Sequence, residues 1–210
     1  LFRSNWFLDT YDATDNPRGN LLTNGLQNGT AGTMGATGGS FSGSNATGWV
    51  SDASGAGGSV SVACSKVTRT DGINGSWQQL AVSGTSPNTA GYYIYHGQVP
   101  TFNVTAGDVI DCMAEVELDT GFSNLKALSL LVYFTGATLN SYDMYFLNVS
   151  YPEMVDVGVA IKGVLRTHTI TVPAGANGLR FRVISVFKQN VSIAATFRVG
   201  RCSMRKVSVT

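Results

Sequence analysis

Aromatic rings that stand beside amide, imidazole or carboxylate groups are the side chains of this sequence best suited to chemistry. The face of a tryptophan or tyrosine ring can cover the apolar C–H face of a sugar, while polar neighbours bond to the sugar hydroxyls. Three stretches combine such side chains, and the candidate carbohydrate-binding residues are Trp77, Gln79, Tyr93, Tyr95, His96, Tyr142, Asp143 and Tyr145. For each ring, a place in the core or at a protein interface is the alternative.

The tyrosines at positions 92 to 95 divide into two sets. Tyr93 and Tyr95 are two positions apart and face one side of a strand, whereas Tyr92 faces the other side. One set is therefore expected in the core and the other at the surface.

The sequence offers little material for catalysis. Its two histidines are His96, a candidate for the rim of a binding site, and His168, which we expect on the solvent face of a strand. No Gly-x-Ser-x-Gly motif is present. Glu115 and Glu117 share a strand face that we expect to be solvated, and nothing pairs the acids as a glycosidase requires. These acids are Asp108, Asp111, Glu115, Glu117 and Asp119. The sequence therefore predicts a protein that is not an enzyme.

No cofactor is predicted apart from a structural calcium ion. Loops of a β-sandwich can hold calcium through carbonyl and carboxylate oxygens, and Asp71 and Asn74 are the candidate ligands. The alternative is that both residues belong to ordinary Asp-Gly and Asn-Gly turns. The three cysteines are widely spaced, which argues against a disulfide framework. Cys64 and Cys112 lie in strand-like runs and are expected to be buried thiols.

Composition limits the partners of the chain. Charged residues make up only 13% of it and the formal net charge is +1, so nothing favours nucleic acid or an anionic membrane. No apolar run approaches the roughly 20 residues needed to cross a bilayer, so no membrane insertion is predicted. A surface of neutral hydroxyls and amides is typical of extracellular or virion proteins, and it suits neutral ligands.

Short alternating segments separated by turn residues dominate the sequence from position 59 onward. Val60, Val62 and Cys64 alternate with small polar residues, as in a strand with one buried face. Further strands are predicted at Trp77–Val82, Tyr92–Val99, Asp108–Leu118, Leu125–Thr135, Tyr142–Val149, Val164–Val172, Gly178–Phe187, Val191–Val199 and Cys202–Val209. Around ten closely spaced strands indicate an all-β, antiparallel jelly-roll sandwich.

Two local features add to this prediction. The glycine-rich stretch from Leu21 to Gly58 is interpreted as short strands joined by long loops, with Trp49 in the core. The segment Thr171-Val-Pro-Ala-Gly175 is expected to join two inward-alternating strands in a hairpin-like unit. Residues 1–20 are expected to form an irregular arm or linker, and residues 21–210 the sandwich.

Three groups of residues carry a family resemblance. They are Arg69–Gln79, the C-terminal series that runs through Gly163–Thr167, Ile170–Gly175 and Val199–Val207, and Asn20–Gly25 followed by Gly48-Trp49. Together they resemble the C-terminal β-sandwich module of phage tail or head fibre proteins and of some SGNH/GDSL-type hydrolases. The resemblance implies a jelly-roll, carbohydrate-binding-like domain at the end of a virion or surface protein, commonly a homotrimer. The Gly-Asp-Ser motif of the hydrolase domain is absent from this sequence.

The preferred hypothesis is therefore a non-catalytic domain of a phage-type fibre or spike that binds host cell-surface polysaccharide. It would stand on a virion or in another extracellular place, joined to an upstream fibre protein. A purely structural virion or oligomerisation domain is the first alternative. The accessory module of an SGNH-type hydrolase is the second.

Overall fold

The computed structural model describes residues 20–55, 59–88, 92–98, 105–120, 124–136, 144–147, 161–167, 169–176 and 178–207. These residues form thirteen strands. Their bounds are β1 Ala31–Met34, β2 Ser40–Gly43, β3 Asn45–Ser54, β4 Ser59–Thr68, β5 Ser76–Thr85, β6 Tyr93–Gln98, β7 Val109–Thr120, β8 Leu125–Thr135, β9 Met144–Leu147, β10 Ile161–Arg166, β11 Ile170–Thr171, β12 Gly178–Phe187 and β13 Ser192–Lys206.

The strands form two sheets that pack face to face as a jelly-roll β-sandwich, which confirms the predicted fold class. The first sheet has the order β1-β3-β6-β12-β8-β9, and the second has the order β10-β7-β13-β5-β4-β2, with β11 beside β7. The short edge strands β1 and β2 pair in parallel with β3 and β4, whereas the other pairs of described strands are antiparallel. No helix among the described residues is long and apolar enough to cross a membrane.

The core lies between the sheets and is built by the period-two pattern. Alternate residues of every long strand point inward, as Val60, Val62 and Cys64 do on β4. Trp49 is buried among these side chains, which confirms its predicted place, and it meets Phe181 edge to face at 6.0 Å. Burial of each large apolar side chain contributes roughly 1.5–3 kcal/mol. All three cysteines are buried and unpaired, which confirms the expected thiols at positions 64 and 112.

The first described residues are bonded into the sandwich. The Asn20 side chain donates to the Cys202 carbonyl at 3.1 Å and accepts from the Met204 amide at 2.8 Å, and the Leu21 amide donates to the Met204 carbonyl. Residues 1–19, which make up nearly all of the predicted arm, lie outside the described residues.

The segment Thr171–Gly175 does not close a hairpin, so that prediction is wrong. β11, which ends at Thr171, belongs to the second sheet, and β12 belongs to the first. The chain therefore crosses from one sheet to the other at this turn. Alternation identifies the side of a strand that faces the core, and both sheets face the same core, so the pattern cannot distinguish a crossover from a hairpin.

The last two predicted strands form one long strand with a bulge. β13 runs through Gly200, and its register with β7 shifts between Val199 and Cys202. A Cβ atom on Gly200 would lie 2.6 Å from Cζ3 of Trp77 and 2.9 Å from Oε2 of Glu115. Glycine is therefore required here by the close approach of the Trp77 ring.

We expect Gly200→Ala to lower the free energy of unfolding by about 1–3 kcal/mol, the usual cost of overpacking. Val164→Ala, at an exposed position of β10, is the control and should change it by less than about 0.5 kcal/mol. Urea denaturation followed by tryptophan fluorescence measures both. Equal stability of Gly200→Ala and the wild type would contradict the proposed packing.

Candidate functional site

A cluster of tyrosine and arginine side chains covers the outer surface of the first sheet, away from the core. We call it the tyrosine–arginine face and define it by Asp52, Tyr93, Tyr95, Tyr133, Arg180 and Arg182. Its apolar floor is separate from the main core and consists of Tyr95, Leu131 and Ile184, with Val50 and Val186 packed against them.

Four adjacent strands, β3, β6, β12 and β8, bring these residues together. Asp52 pairs with Tyr95, which pairs with Ile184 of β12. On the other side of β12, Arg180 lies directly opposite Tyr133. Cross-strand neighbours on one face come within contact distance, so four strands that are distant in sequence supply one surface.

Arg182 lies at the centre of this face, between two tyrosine rings. Its guanidinium carbon is 3.8 Å from the centroid of the Tyr95 ring and 5.5 Å from that of the Tyr133 ring. The side chain passes over Gly97 of β6, where a Cβ atom would lie 2.7 Å from Cγ of Arg182. Glycine at this point leaves room for the arginine stem, and the guanidinium lies within cation–π distance of both rings.

Arg180 and Asp52 complete the polar part of the face. The Arg180 guanidinium lies 5.2 Å from the Tyr133 ring centroid. Asp52 accepts hydrogen bonds from the amides of Thr37 and Ala53 and from the Tyr95 hydroxyl, the last at 3.3 Å. Burial raises the pKa of Tyr95, with the charge of Asp52 adding to the effect and that of Arg182 opposing it, so the phenol is protonated and able to donate at neutral pH.

Exposure differs across the face. Leu131, Ile184 and Tyr95 are buried, with Tyr95 at 8% of its free area. Tyr93 and Tyr133 are only partly buried, as are both arginines. The groups that a ligand can reach are thus two tyrosine rings and two guanidinium groups above a buried apolar floor. The tyrosine rings of such a surface can stack on the apolar face of a sugar ring, and the guanidinium groups can donate several hydrogen bonds to the polar groups at its rim.

The predicted division of the tyrosines agrees with the structure. Tyr92 is in the core and its hydroxyl donates to the Gly38 carbonyl at 2.9 Å. Tyr93 and Tyr95 lie on the outer face with their ring centroids 6.2 Å apart. Tyr142 and Asp143 lie outside the described residues, and the backbone of Tyr145, on β9, pairs with Val132 of β8.

Trp77 is not exposed, and its predicted place in a binding site is wrong. The ring is on the outer surface of the second sheet but is 6% exposed, because Arg69 and Lys162 cover it at 4.3 and 5.6 Å from its centroid. With so little of its area exposed, the ring offers a sugar no surface to stack on. Gln79 lies on the same surface, where it accepts a hydrogen bond from Arg198 at 2.8 Å.

His96 is inside the sandwich, so the predicted rim position is also wrong. Its ring is fully buried and stacks on Trp49 with the centroids 4.7 Å apart. The two ring nitrogens lie 2.9 Å from Ser51 Oγ and 2.8 Å from Gln27 Oε1. Burial, together with the charge of Lys66, lowers the pKa of His96 to about 3, so the ring is neutral.

The acids of β7 face outward as predicted, but they are not solvated. Glu115 is bound by Arg69 at 2.8 Å and by Arg201 at 2.5 Å. Glu117 is bound by Arg198 and Lys162. Burial tends to raise the pKa of Glu115, but its bonds to Arg201 and Arg69 outweigh this effect and hold the pKa below its usual value. The Glu115 carboxylate therefore stays ionised inside its ion pairs.

The candidate calcium ligands form a turn. Both oxygens of Asp71 accept from Arg69, at 3.0 and 2.7 Å, and Asn74 is exposed in the following turn. Among the described residues, no three His, Cys, Asp or Glu side chains converge as a metal site. The geometry matches the turn alternative.

The sequence interpretation missed Asp52, Tyr133, Arg180 and Arg182. A signal was present, because Arg180 and Arg182 are alternate residues of a predicted strand whose other residues, apart from Ser185, are apolar or glycine. Tyr133 likewise alternates with the core residues Val132 and Phe134. Alternation does not show which strands are neighbours in the sheet. The order of the strands is what brings these residues together.

No protein-family model and no curated protein sequence matches the chain. Among solved structures, the chain is similar to the enzymatically active domain of tailspike protein 4 from bacteriophage CBA120, with 14% identity over 90% of this chain and a TM-score of 0.53. The chain spans 22% of that protein's length. At this identity the similarity concerns the sandwich fold alone.

Two carbohydrate-binding modules are also similar, at lower TM-scores. One is the CBM22-1 xylan-binding domain of Paenibacillus barcinonensis Xyn10C, with a TM-score of 0.43 and 16% identity over 78% of this chain and 88% of that one. The other is the family 11 module of the cellulosomal cellulase Lic26A-Cel5E of Clostridium thermocellum, with a TM-score of 0.43 and 10% identity over 76% and 88%.

The buried neutral state of His96 leads to a pH prediction. Below about pH 6.5 the unfolded chain binds a proton at this ring, whereas the folded chain does so only near pH 3. The stability that the neutral ring contributes is therefore complete above pH 6.5 and is lost as the pH falls toward 3. We expect the free energy of unfolding to decrease by up to about 1.4 kcal/mol per pH unit between pH 6 and 4.5.

Urea denaturation at several pH values measures this slope, and His96→Gln is the matched variant. Glutamine keeps polar atoms near Ser51 and Gln27 but does not titrate, so its slope should be smaller than that of the wild type. A wild-type stability that does not change between pH 7 and 5 would contradict the assignment.

Proposed function

We propose that the chain is a non-catalytic carbohydrate-binding domain of a phage-type fibre or spike, which contacts host cell-surface glycan through the tyrosine–arginine face. The observation that carries the proposal is the joint presence of tyrosine rings and guanidinium groups on an outer sheet surface, where side chains of four strands converge.

The contacts assign different roles to the residues of this face. Tyr93 and Tyr133, whose rings are partly exposed, stack on sugar rings. Tyr95 is nearly buried, so it supports Arg182 and bonds to Asp52 instead of contacting ligand. Tyrosine suits the stacking role because it offers a large rigid contact surface with few rotatable bonds.

The described acids support a non-catalytic role. A glycosidase needs two carboxylic groups across the sugar, one of which is protonated at working pH. Asp111, Glu115 and Glu117 lie on the opposite outer surface, and each is bound in an ion pair by an arginine. The bonds from Arg201 and Arg69 hold the pKa of Glu115 below its usual value, so this carboxyl does not suit the role of the protonated acid.

A place on a virion is supported by the fold similarity to a tailspike domain and by the low charge of the chain. The resemblance to fibre modules adds a homotrimer and an upstream fibre protein as partners. An accessory module of an SGNH-type hydrolase would use the same face and differ in the domain that precedes it.

A structural oligomerisation domain is the alternative, and one feature of the same face favours it. Tyrosine and arginine are also enriched where protein interfaces bind most tightly. In that case Tyr93 and Tyr133 would be buried between copies of the chain, and no glycan would reach them.

Tyr133→Ala and Tyr93→Ala should each weaken glycan binding by about fivefold or more, because a stacking contact at the centre of an interface contributes more than about 1 kcal/mol. Tyr133→Phe keeps the ring and should bind almost as the wild type does. Gln79→Ala, on the other sheet, is the control for position. A bacterial glycan array followed by titration calorimetry measures the binding.

The other proposals give different results in the same experiment. Absence of binding to any glycan, with an oligomer that dissociates on Tyr133→Ala in light-scattering measurements, would establish the structural role instead. Shortening of a bound glycan by the purified chain would refute the non-catalytic assignment.

A further inference from the structure

The arginines on the two outer surfaces of the sandwich differ in whether a carboxylate binds them. On the second sheet, each arginine has a carboxylate partner: Arg69 with Asp71 and Glu115, Arg166 and Arg205 with Asp111, Arg198 with Glu117 and Asp119, and Arg201 with Glu115. A chain with few charges thus pairs these cations almost completely.

Arg180 and Arg182, on the first sheet, are not paired in this way. Among the described residues, no carboxylate lies within 4 Å of either guanidinium, and their close partners are the rings of Tyr95 and Tyr133. Nε of Arg180 is buried and has no hydrogen-bond partner in the described part of the chain. A buried donor without an acceptor destabilises the protein in the absence of a ligand.

Asp52 is the one acid that the described residues place on this face, and its oxygens are already used. They accept from two backbone amides and from the Tyr95 hydroxyl. The face therefore has two cations and one committed anion, and it complements a negative group.

We propose that the ligand of this face is an acidic polysaccharide, whose sugar carboxylates are bound by Arg180 and Arg182. This inference rests on the proposed function, since it names the class of glycan that the same face binds. The overall composition instead suggests a neutral ligand. Composition counts all charges together, including those that are paired with each other on the second sheet, so it does not reveal the arginines of this face that no described carboxylate binds.

The geometry suits a sugar carboxylate. The Arg182 guanidinium carbon lies 3.8 Å from the centroid of the Tyr95 ring, and no carboxylate of the described residues binds this arginine, so its N–H groups can donate to a ligand. A carboxylate on a pyranose lies at the rim of the ring. When that ring stacks on Tyr133, its rim is next to the two guanidiniums, which lie 5.2 and 5.5 Å from the tyrosine centroid. A planar fork of donors matches a carboxylate in a bidentate manner.

The test compares each glycan bound on a bacterial polysaccharide array with the same glycan after carbodiimide and borohydride treatment, which reduces uronic acid carboxylates to alcohols. We expect the reduced glycan to bind about tenfold more weakly or worse, since charge-assisted hydrogen bonds are lost. Arg180→Gln and Arg182→Gln should weaken binding to the native glycan by a similar factor and leave binding to the reduced glycan almost unchanged.

Lys126→Gln is the control, because it removes one positive charge from an exposed position of the neighbouring strand β8. It should bind the native glycan as the wild type does, and thermal melting monitored by circular dichroism should show all three variants folded. Binding to native and reduced glycans with equal affinity would overturn the acidic ligand and leave the proposed function intact. Binding only to sulfated or phosphorylated glycans without carboxylates would also overturn it. Absence of binding to any glycan would refute the proposed function itself.

Discussion

Mutual burial of two sheets is the constraint on which the rest of this structure depends. Each sheet presents an apolar face to the other, and the parity of a residue assigns its side chain to core or surface wherever the strand has no bulge, as β13 has at Gly200. Tyr92 and Ile94 enter the core because the strand must bury one set of alternate residues, and Tyr93 and Tyr95 are then placed outside. The tyrosine–arginine face is therefore a consequence of core packing. A shift of β6 by one residue would turn Tyr93 and Tyr95 into the core and Tyr92 and Ile94 out of it.

The same constraint encloses polar side chains in the sandwich, and His96 shows how such a side chain is satisfied there. His96 points inward with the core residues of β6, and its bonds to Ser51 and Gln27 and its stacking on Trp49 satisfy it. Asn20 joins the start of the sandwich to Cys202 and Met204 near its end. Asn20 and Trp49 belong to the segments that resemble fibre modules. In this chain they serve closure and packing, so that resemblance bears on the fold and leaves the ligand open.

Much of the fold could be predicted from the sequence, because alternation and turn residues are local. The predicted strands Leu125–Thr135 and Gly178–Phe187 have the same bounds as β8 and β12. The crossover at Thr171–Gly175 could not be predicted, because sheet membership depends on distant pairing. The site was predictable in part: Tyr93 and Tyr95 followed from parity, but Tyr133, Arg180 and Arg182 required the strand order. Trp77 was misplaced because an outward-facing ring can still be covered by long cationic side chains, here Arg69 and Lys162.

The distribution of charge over the two outer surfaces could not be inferred from the sequence. A net charge of +1 describes a nearly neutral chain, but the sum hides two unlike surfaces. On the second sheet, the acids of β7 stand between the cations of β10 and β13, and each offsets the other. On the first sheet, the arginines of β12 meet tyrosines of β6 and β8, whose rings hold a guanidinium in place without neutralising it. An ion pair leaves little field for a ligand, whereas a cation on an aromatic ring retains its own. Among the described residues, the arginines that keep such a field, Arg180 and Arg182, therefore both lie on the first sheet.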